Sequence, residues 1–153
     1  MQILTDNPQL TRRLFLGGGF TVSVSSIAWS QMNSLPFDGN AIDPATAHEL
    51  ALSNEIILLD IRRPDEWKKT GSGQGAHRLD LRRKDFITVL DSILAGDRSK
   101  PVALICARGV RSNRMSQKLI KAGFTNIIDV PEGMLGTKAG PGWIKRKLPL
   151  NRS

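Results

Sequence analysis

A doubly wound α/β domain, a parallel sheet with helices on both faces, is the fold that this sequence predicts. Three observations carry the prediction. Two short runs, Ile56-Ile57-Leu58-Leu59 and Val102-Ala103-Leu104-Ile105, are continuously apolar, as strands covered on both faces are. Segments with helical spacing separate the strand-like runs, and that alternation argues for parallel pairing. The chain carries no heptads, internal repeat or low-complexity tract that would point to another architecture.

Taken in order, residues 31–42 read as an extended arm. Asp43 and Pro44 then open a helix as its N-cap and first-turn proline. A strand over 55–61 follows. Pro64-Asp65-Glu66-Trp67-Lys68-Lys69 reads as a short helix begun by proline, and Gly71-Ser72-Gly73-Gln74-Gly75 as a loop. A short strand over 77–81 leads to a helix in which Phe86, Val89, Leu90, Ile93 and Leu94 step by three and four along one face. The second apolar strand starts at Pro101 and runs straight into Cys106. From Ser112 a helix carries Met115, Leu119, Ile120 and Ala122 to Gly123, a residue suited to ending it. A strand over 126–130, a Gly/Pro-rich loop over 131–142 and a short helix at Trp143-Ile144-Lys145-Arg146 complete the pattern.

The 153 residues suffice for one domain, expected over 43–150, plus a leading segment. A composition of 40% hydrophobic and 24% charged residues excludes disordered and fibrous classes. The net charge of +8 fits either a basic, solvated surface or an attraction toward small anions or acidic partners. Its cations do not interleave with aromatics and no nucleic-acid motif is present, so no nucleic-acid partner is expected. One cysteine, Cys106, excludes an intramolecular disulfide and a structural zinc site, and no metal is expected.

Thr11-Arg12-Arg13-Leu14-Phe15-Leu16 stands before an apolar, Gly-rich run that ends at Trp29, with small residues at Ala28 and Ser30. A basic pair, an apolar run and small residues form a signal-peptide pattern, and Arg-Arg-x-Phe-Leu resembles a twin-arginine export signal. Residues 1–30 are therefore expected to be a cleaved leader and the domain to reside in the periplasm. The apolar run is shorter than the ~20 residues of a spanning helix, so no stable membrane span is expected after cleavage. An uncleaved leader would anchor the protein to the membrane.

The segment Cys106-Ala107-Arg108-Gly109-Val110-Arg111-Ser112 lies between a buried strand and an amphipathic helix. A thiol is a useful nucleophile only as a thiolate, a form that helix N-termini and neighbouring cations favour. The loop is expected to curl so that its backbone N–H groups, from Ala107 to Ser112, cradle an anion. Gly109 permits the curl. Arg108 and Arg111 add positive charge, with Arg111 also bracing the loop. Taken alone, these residues also fit a buried cysteine before a helix with two solvated arginines.

Cys106-x-x-Gly109-x-Arg111-Ser112 resembles the active-site loop of the rhodanese family. Leu58-Leu59-Asp60-Ile61-Arg62 with Asp65-Glu66-Trp67 is similar to the family's Leu-Asp-Val-Arg strand and the Glu and aromatic residue that follow it. Gly75-Ala76, Ala122-Gly123-Phe124-Thr125-Asn126-Ile127, Glu132-Gly133-Met134, Trp143-Ile144 and Leu148-Pro149-Leu150 resemble later segments, in the family's order. The resemblance implies a sulfurtransferase in which Cys106 takes sulfane sulfur from a small anionic donor such as thiosulfate. The Cys106 persulfide then passes it to cyanide, a thiol or a protein acceptor. It implies no cofactor beyond that persulfide. The loop amides and Arg111 would hold the persulfide, Arg108 would draw in the donor, and Asp60 and Arg62 would form a structural pair supporting the loop from below.

Gly71-Ser72-Gly73-Gln74-Gly75-Ala76 departs from the family's Gly-His-Ile-Pro-Gly-Ala, which predicts a more mobile loop, with His77 a surface residue rather than a replacement for the missing histidine. Two alternatives remain. One is a periplasmic sulfur carrier dependent on a protein partner. The other is a phosphatase of the same fold, whose loop has five residues between Cys and Arg where this chain has four.

Overall fold

The computed structural model describes residues 40–153; the leader and most of the arm expected before Asn40 lie outside them. The elements run β1 (Asn40–Ala41), α1 (Pro44–Leu52), β2 (Ile57–Asp60), α2 (Pro64–Thr70), β3 (Ser72–Gly73) and β4 (His77–Arg78). They continue with α3 (Phe86–Ile93), β5 (Val102–Ile105), α4 (Val110–Lys121), β6 (Ile127–Asp129), α5 (Gly142–Lys145) and β7 (Leu150–Asn151). Five strands form one parallel sheet in the order β1-β6-β5-β2-β4. The two apolar runs, β2 and β5, lie side by side with Asp60 opposite Ile105.

Successive side chains of a strand point to opposite faces, which explains why both runs are apolar throughout. Leu59, Ile61, Val102, Leu104 and Cys106 face one core with Phe86, Leu90 and Leu94 around α3 and Met115 and Leu119 of α4. Leu58, Ala103, Ile105 and Val130 face a second core with Ala47 and Leu50 of α1, Met134, and Trp143 of α5. Both faces are covered by helices, as the sequence predicts.

Local signals set the helix starts. Asp43 accepts hydrogen bonds from the N–H groups of Ala45 and Thr46 at 2.8 and 3.3 Å, and Pro44 has no N–H to lose. In α2, Glu66 accepts from the N–H of Arg63 at 3.1 Å, with acids in the first turn and lysines in the last, both orientations favoured by the helix dipole.

Three details differ from expectation. The predicted loop at Ser72-Gly73 is β3, paired antiparallel with β7 near the far end of the chain. Gly73 lets the Trp143 ring approach so closely that a Cβ there would lie 2.6 Å from it. No local propensity encodes that partnership. The loop predicted to be mobile is therefore tied at β3, and Gln74 N–H donates to Pro149 O at 3.0 Å. Strand β4 is only two residues long, and α4 begins two residues before Ser112. His77 is exposed, as expected.

The chain moves outward from β2 to β4, then crosses back to lay β5 on the other side of β2. Such a reversal opens a crevice at the carboxyl ends of the two strands, where ligands bind in open α/β sheets. Cys106 stands there. Leu104 is fully buried beside it, and Leu104→Ala is expected to cost about 2–5 kcal/mol, measured by urea denaturation.

Candidate active site

Cys106 follows β5, and the chain turns at once into α4. Two contacts set the turn. The carbonyl oxygens of Cys106 and Ala107 accept hydrogen bonds from the N–H groups of Met134 and Leu135, at 2.9 and 3.0 Å. Gly109 takes a left-handed φ of 76°, and a Cβ on it would lie 2.3 Å from the carbonyl oxygen of Pro131. Both conformation and contact demand glycine here.

With the loop carbonyls turned outward, the N–H groups of residues 107–111 donate to no acceptor within the described chain. They are open donors at the start of a 12-residue helix, the arrangement that binds anions. Cys106 is 1% exposed. The N–H of Ser112 donates toward its Sγ at 3.4 Å, and the thiol lies 3.6 Å from Ser112 Oγ, an acceptor for its proton. Ser112 Oγ in turn donates to Gly109 O at 3.0 Å, which ties the cysteine to the bend of the loop.

Arg111 braces the loop through a partner 45 residues away in sequence. Its two terminal nitrogens donate to the two Glu66 carboxylate oxygens, both at 2.7 Å. The hydrogen bond from Arg111 is the main cause that draws Glu66 from 4.5 down to about 2, against the opposing effect of burial and with help from the Arg63 N–H and the charges of Arg111 and Arg62. The hydrogen bond to Glu66 holds the Arg111 proton more firmly than in an ordinary arginine; burial opposes this, and the nearby Cys106 sulfur adds to it. A persulfide on Cys106 would therefore form next to an arginine whose charge and position are fixed.

Asp60 and Arg62 do form a pair, buried and bidentate, with a closest distance of 2.6 Å. Its other hydrogen bonds go to Thr70 Oγ1 and Gly71 O, at 2.9 and 2.7 Å, so the pair fastens the end of α2 rather than the cysteine loop. Direct loop support comes from Glu66 on α2, and the part played by Asp60 and Arg62 is indirect, through that helix. The loop after β6 is secured by Glu132, 3% exposed, which accepts from Gly142 N–H and from Arg146 at 2.6 Å. Arg108 is exposed and reaches Gly136 O at 3.4 Å.

In the structure Cys106, Ala107, Arg108, Gly109, Val110, Arg111 and Ser112 form the turn from β5 into α4. The pairing of Glu66 with Arg111 and the position of Asp129 beside the loop were not anticipated. Each left a faint signal: an acid in the first turn after a proline, and an acid closing an apolar strand.

A parallel α/β domain whose central strand ends in a lone cysteine, ringed by open amides and backed by an anchored arginine, defines a class of anion-cradling cysteine domains. The chain belongs to the family described as Rhodanese-like domain, which matches residues 43–139. Among solved structures it resembles the polysulfide-sulfur transferase homodimer from Wolinella succinogenes, with a TM-score of 0.58 and 23% identity over 84% of this chain and 90% of that one. It also resembles a thiosulfate sulfurtransferase from Pseudomonas aeruginosa, with a TM-score of 0.57 and 24% identity over 72% of this chain and 20% of that one. A curated relative, a tRNA uridine(34) hydroxylase of Deinococcus radiodurans, is 30% identical over 98 residues, 63% of this chain and 32% of the relative. A Chlamydia muridarum protein of the same name is 30% identical over 72% of this chain and 35% of its own length. The chain thus spans about a third of the curated relatives it matches.

Because the folded Glu66 binds its proton more weakly than an ordinary carboxyl, the ion pair contributes fully above about pH 4.5 and is lost as pH falls toward 2. Glu66→Gln should therefore cost about 1–2 kcal/mol at pH 7, and the gap from wild type should shrink below pH 4.5 in urea titrations at several pH values.

Proposed function

We propose that this protein is a sulfurtransferase that carries sulfane sulfur as a persulfide on Cys106. The observation that supports this most is the ring of open N–H groups at residues 107–111 around a buried cysteine with Ser112 and Arg111 beside it. A cradle lined by amides suits a compact anionic sulfur, and membership in the Rhodanese-like domain family fits the same chemistry. The names of the Wolinella and Pseudomonas structures agree with it. The hydroxylase name is not carried over, because the relatives that bear it are about three times as long as the matched region.

The Cys106 thiolate attacks the outer sulfur of a donor such as thiosulfate. The donor S–S bond breaks and sulfite leaves with the electron pair, giving Cys106 persulfide. The loop amides and Arg111 hold the new anion. An acceptor, cyanide or a thiolate, then attacks the terminal sulfur, and the Cys106 thiolate is released. The protein needs no resident cofactor for either step. Arg108, exposed at the loop, meets the incoming anion first.

Residues 1–30 we take as a twin-arginine leader and the periplasm as the destination, on the strength of Arg12-Arg13 and the apolar run behind them. Among the described residues no helix is long and apolar enough to cross a membrane.

Intact mass after thiosulfate should rise by about 32 Da, one sulfur atom, in the wild type and not in Cys106→Ser. No gain in folded, reduced protein would remove thiosulfate as donor and favour a carrier charged by a protein partner. A reporter fused to residues 1–40 should be exported. Replacing Arg12 and Arg13 together by lysine should retain it in the cytoplasm, and unaltered export would exclude the twin-arginine route.

A further inference from the structure

We propose that Asp129 is a positioning residue of the sulfur-transfer site: its buried carboxylate opposes the negative charge that forms on Cys106 and so sets the pH at which the cysteine becomes a nucleophile. The proposal deepens the sulfurtransferase reading by adding a residue to that site, and its test reads the thiolate directly, without a sulfur donor.

Asp129 closes β6 and lies opposite Leu104 of β5. Ile127, two residues earlier, faces the same core as Leu104 and Cys106, and the period of two puts Asp129 on that face also. One strand spacing and two residues of rise separate the Cα atoms of Asp129 and Cys106, about 8 Å. Ser112 links the two. It is fully buried, its Oγ is 3.6 Å from Cys106 Sγ, and its side chain bears on the Asp129 carboxyl together with that of Asn113. Asp129 is 4% exposed, and its Oδ1 is sealed from solvent without a hydrogen-bond partner. Water therefore does little to screen its charge from the cysteine. Burial raises its affinity for the proton above that of an ordinary carboxyl, with Ser112, the Val130 N–H and Asn113 acting the other way.

Among the described residues no cation pairs with Asp129. The basic side chains that line the same groove, Arg108, Arg114 and Lys138, are exposed and act through solvent. On its other side β1 offers Asn40 and Ala41, neither charged. Of the acids nearby, Glu132 is taken by Arg146 and Asp43 caps α1. Arg111, the fixed cation beside the cysteine, is shared with Glu66. Cys106 therefore ionises between a shared cation and an unpaired carboxyl.

Two acids coupled in this way release their protons against each other. The ionised carboxyl keeps the thiol protonated to higher pH, and a thiolate or persulfide on Cys106 in turn keeps a proton on Asp129. Because the thiolate is also the form that oxidants attack, the carboxyl trades speed of transfer for protection of the one cysteine in the chain.

The chain has one cysteine and no tyrosine, so absorbance at about 240 nm follows thiolate formation without a phenolate background. In the folded protein, Asp129→Asn should lower the midpoint of that titration by about one pH unit, the shift expected of a like charge at this range. Asp129→Leu puts an apolar side chain in the buried position; it should lower the midpoint as far, and it serves if the Asn variant does not fold. Asp129→Glu keeps the charge and should stay near the wild-type midpoint. Charging by thiosulfate, followed by intact mass below the wild-type midpoint, should be about tenfold faster in the Asn variant and equal to wild type well above it. A loss of packing alone would change the rate at every pH and leave the midpoint in place. A midpoint unmoved by both neutral variants, or moved as far by Glu, overturns the role of Asp129. A wild type whose thiolate forms but never takes sulfur overturns the sulfurtransferase reading and leaves the effect of Asp129 on the thiolate to stand.

Discussion

The hold of residues 131–135 on the end of β5 is the constraint from which the rest of the site follows. Met134 and Leu135 take the carbonyls of Cys106 and Ala107, and Pro131 presses on Gly109. Once those carbonyls are turned outward, the N–H groups of Ala107 and Arg108, which share their peptide units, must turn inward, because carbonyl and N–H lie on opposite sides of a planar trans peptide. The anion cradle is thus a consequence of where one loop packs, and glycine at 109 is the residue that allows the fit. Glu132 secures that loop in turn, by taking Gly142 N–H and Arg146.

The charges around the cradle are divided between fixed and free. Arg111 is committed to Glu66, so its guanidinium keeps one place beside the cysteine and loses little freedom when an anion forms there. Arg62 is committed to Asp60 and to the end of α2. Arg108, Arg114 and Lys138 have no such partners among the described residues and face the solvent around one groove. A basic protein of net charge +8 therefore places free cations where a small anion arrives, and pairs others where the loop needs rigidity.

Much of this was legible in the chain. The two apolar runs announced central strands because residues buried on both faces have no polar alternation to show. Asp43-Pro44 announced a helix start, since the cap and proline act on neighbours two or three residues away. Cys106 and its loop were legible as a cluster, and the burial of the cysteine beside Ser112 follows from a fully apolar strand running into it. Ser72-Gly73 was misread as loop because its partner, β7, enters from the other end of the domain and its glycine answers to Trp143 rather than to its neighbours.

What the sequence determined by itself was local and periodic: the order of strands and helices, their parallel arrangement, and the cysteine with its glycine and arginines at a strand-to-helix turn. Capping, turn formation and alternation act over a few residues, so a string of residues contains them. The tertiary structure alone decided which charges meet. Glu66 finds Arg111 across 45 residues, Asp60 and Arg62 serve α2 instead of the cysteine loop, and Asp129 lies unpaired beside it. Those outcomes depend on how β2, β5 and β6 are laid side by side, since only the sheet brings their carboxyl ends to one place.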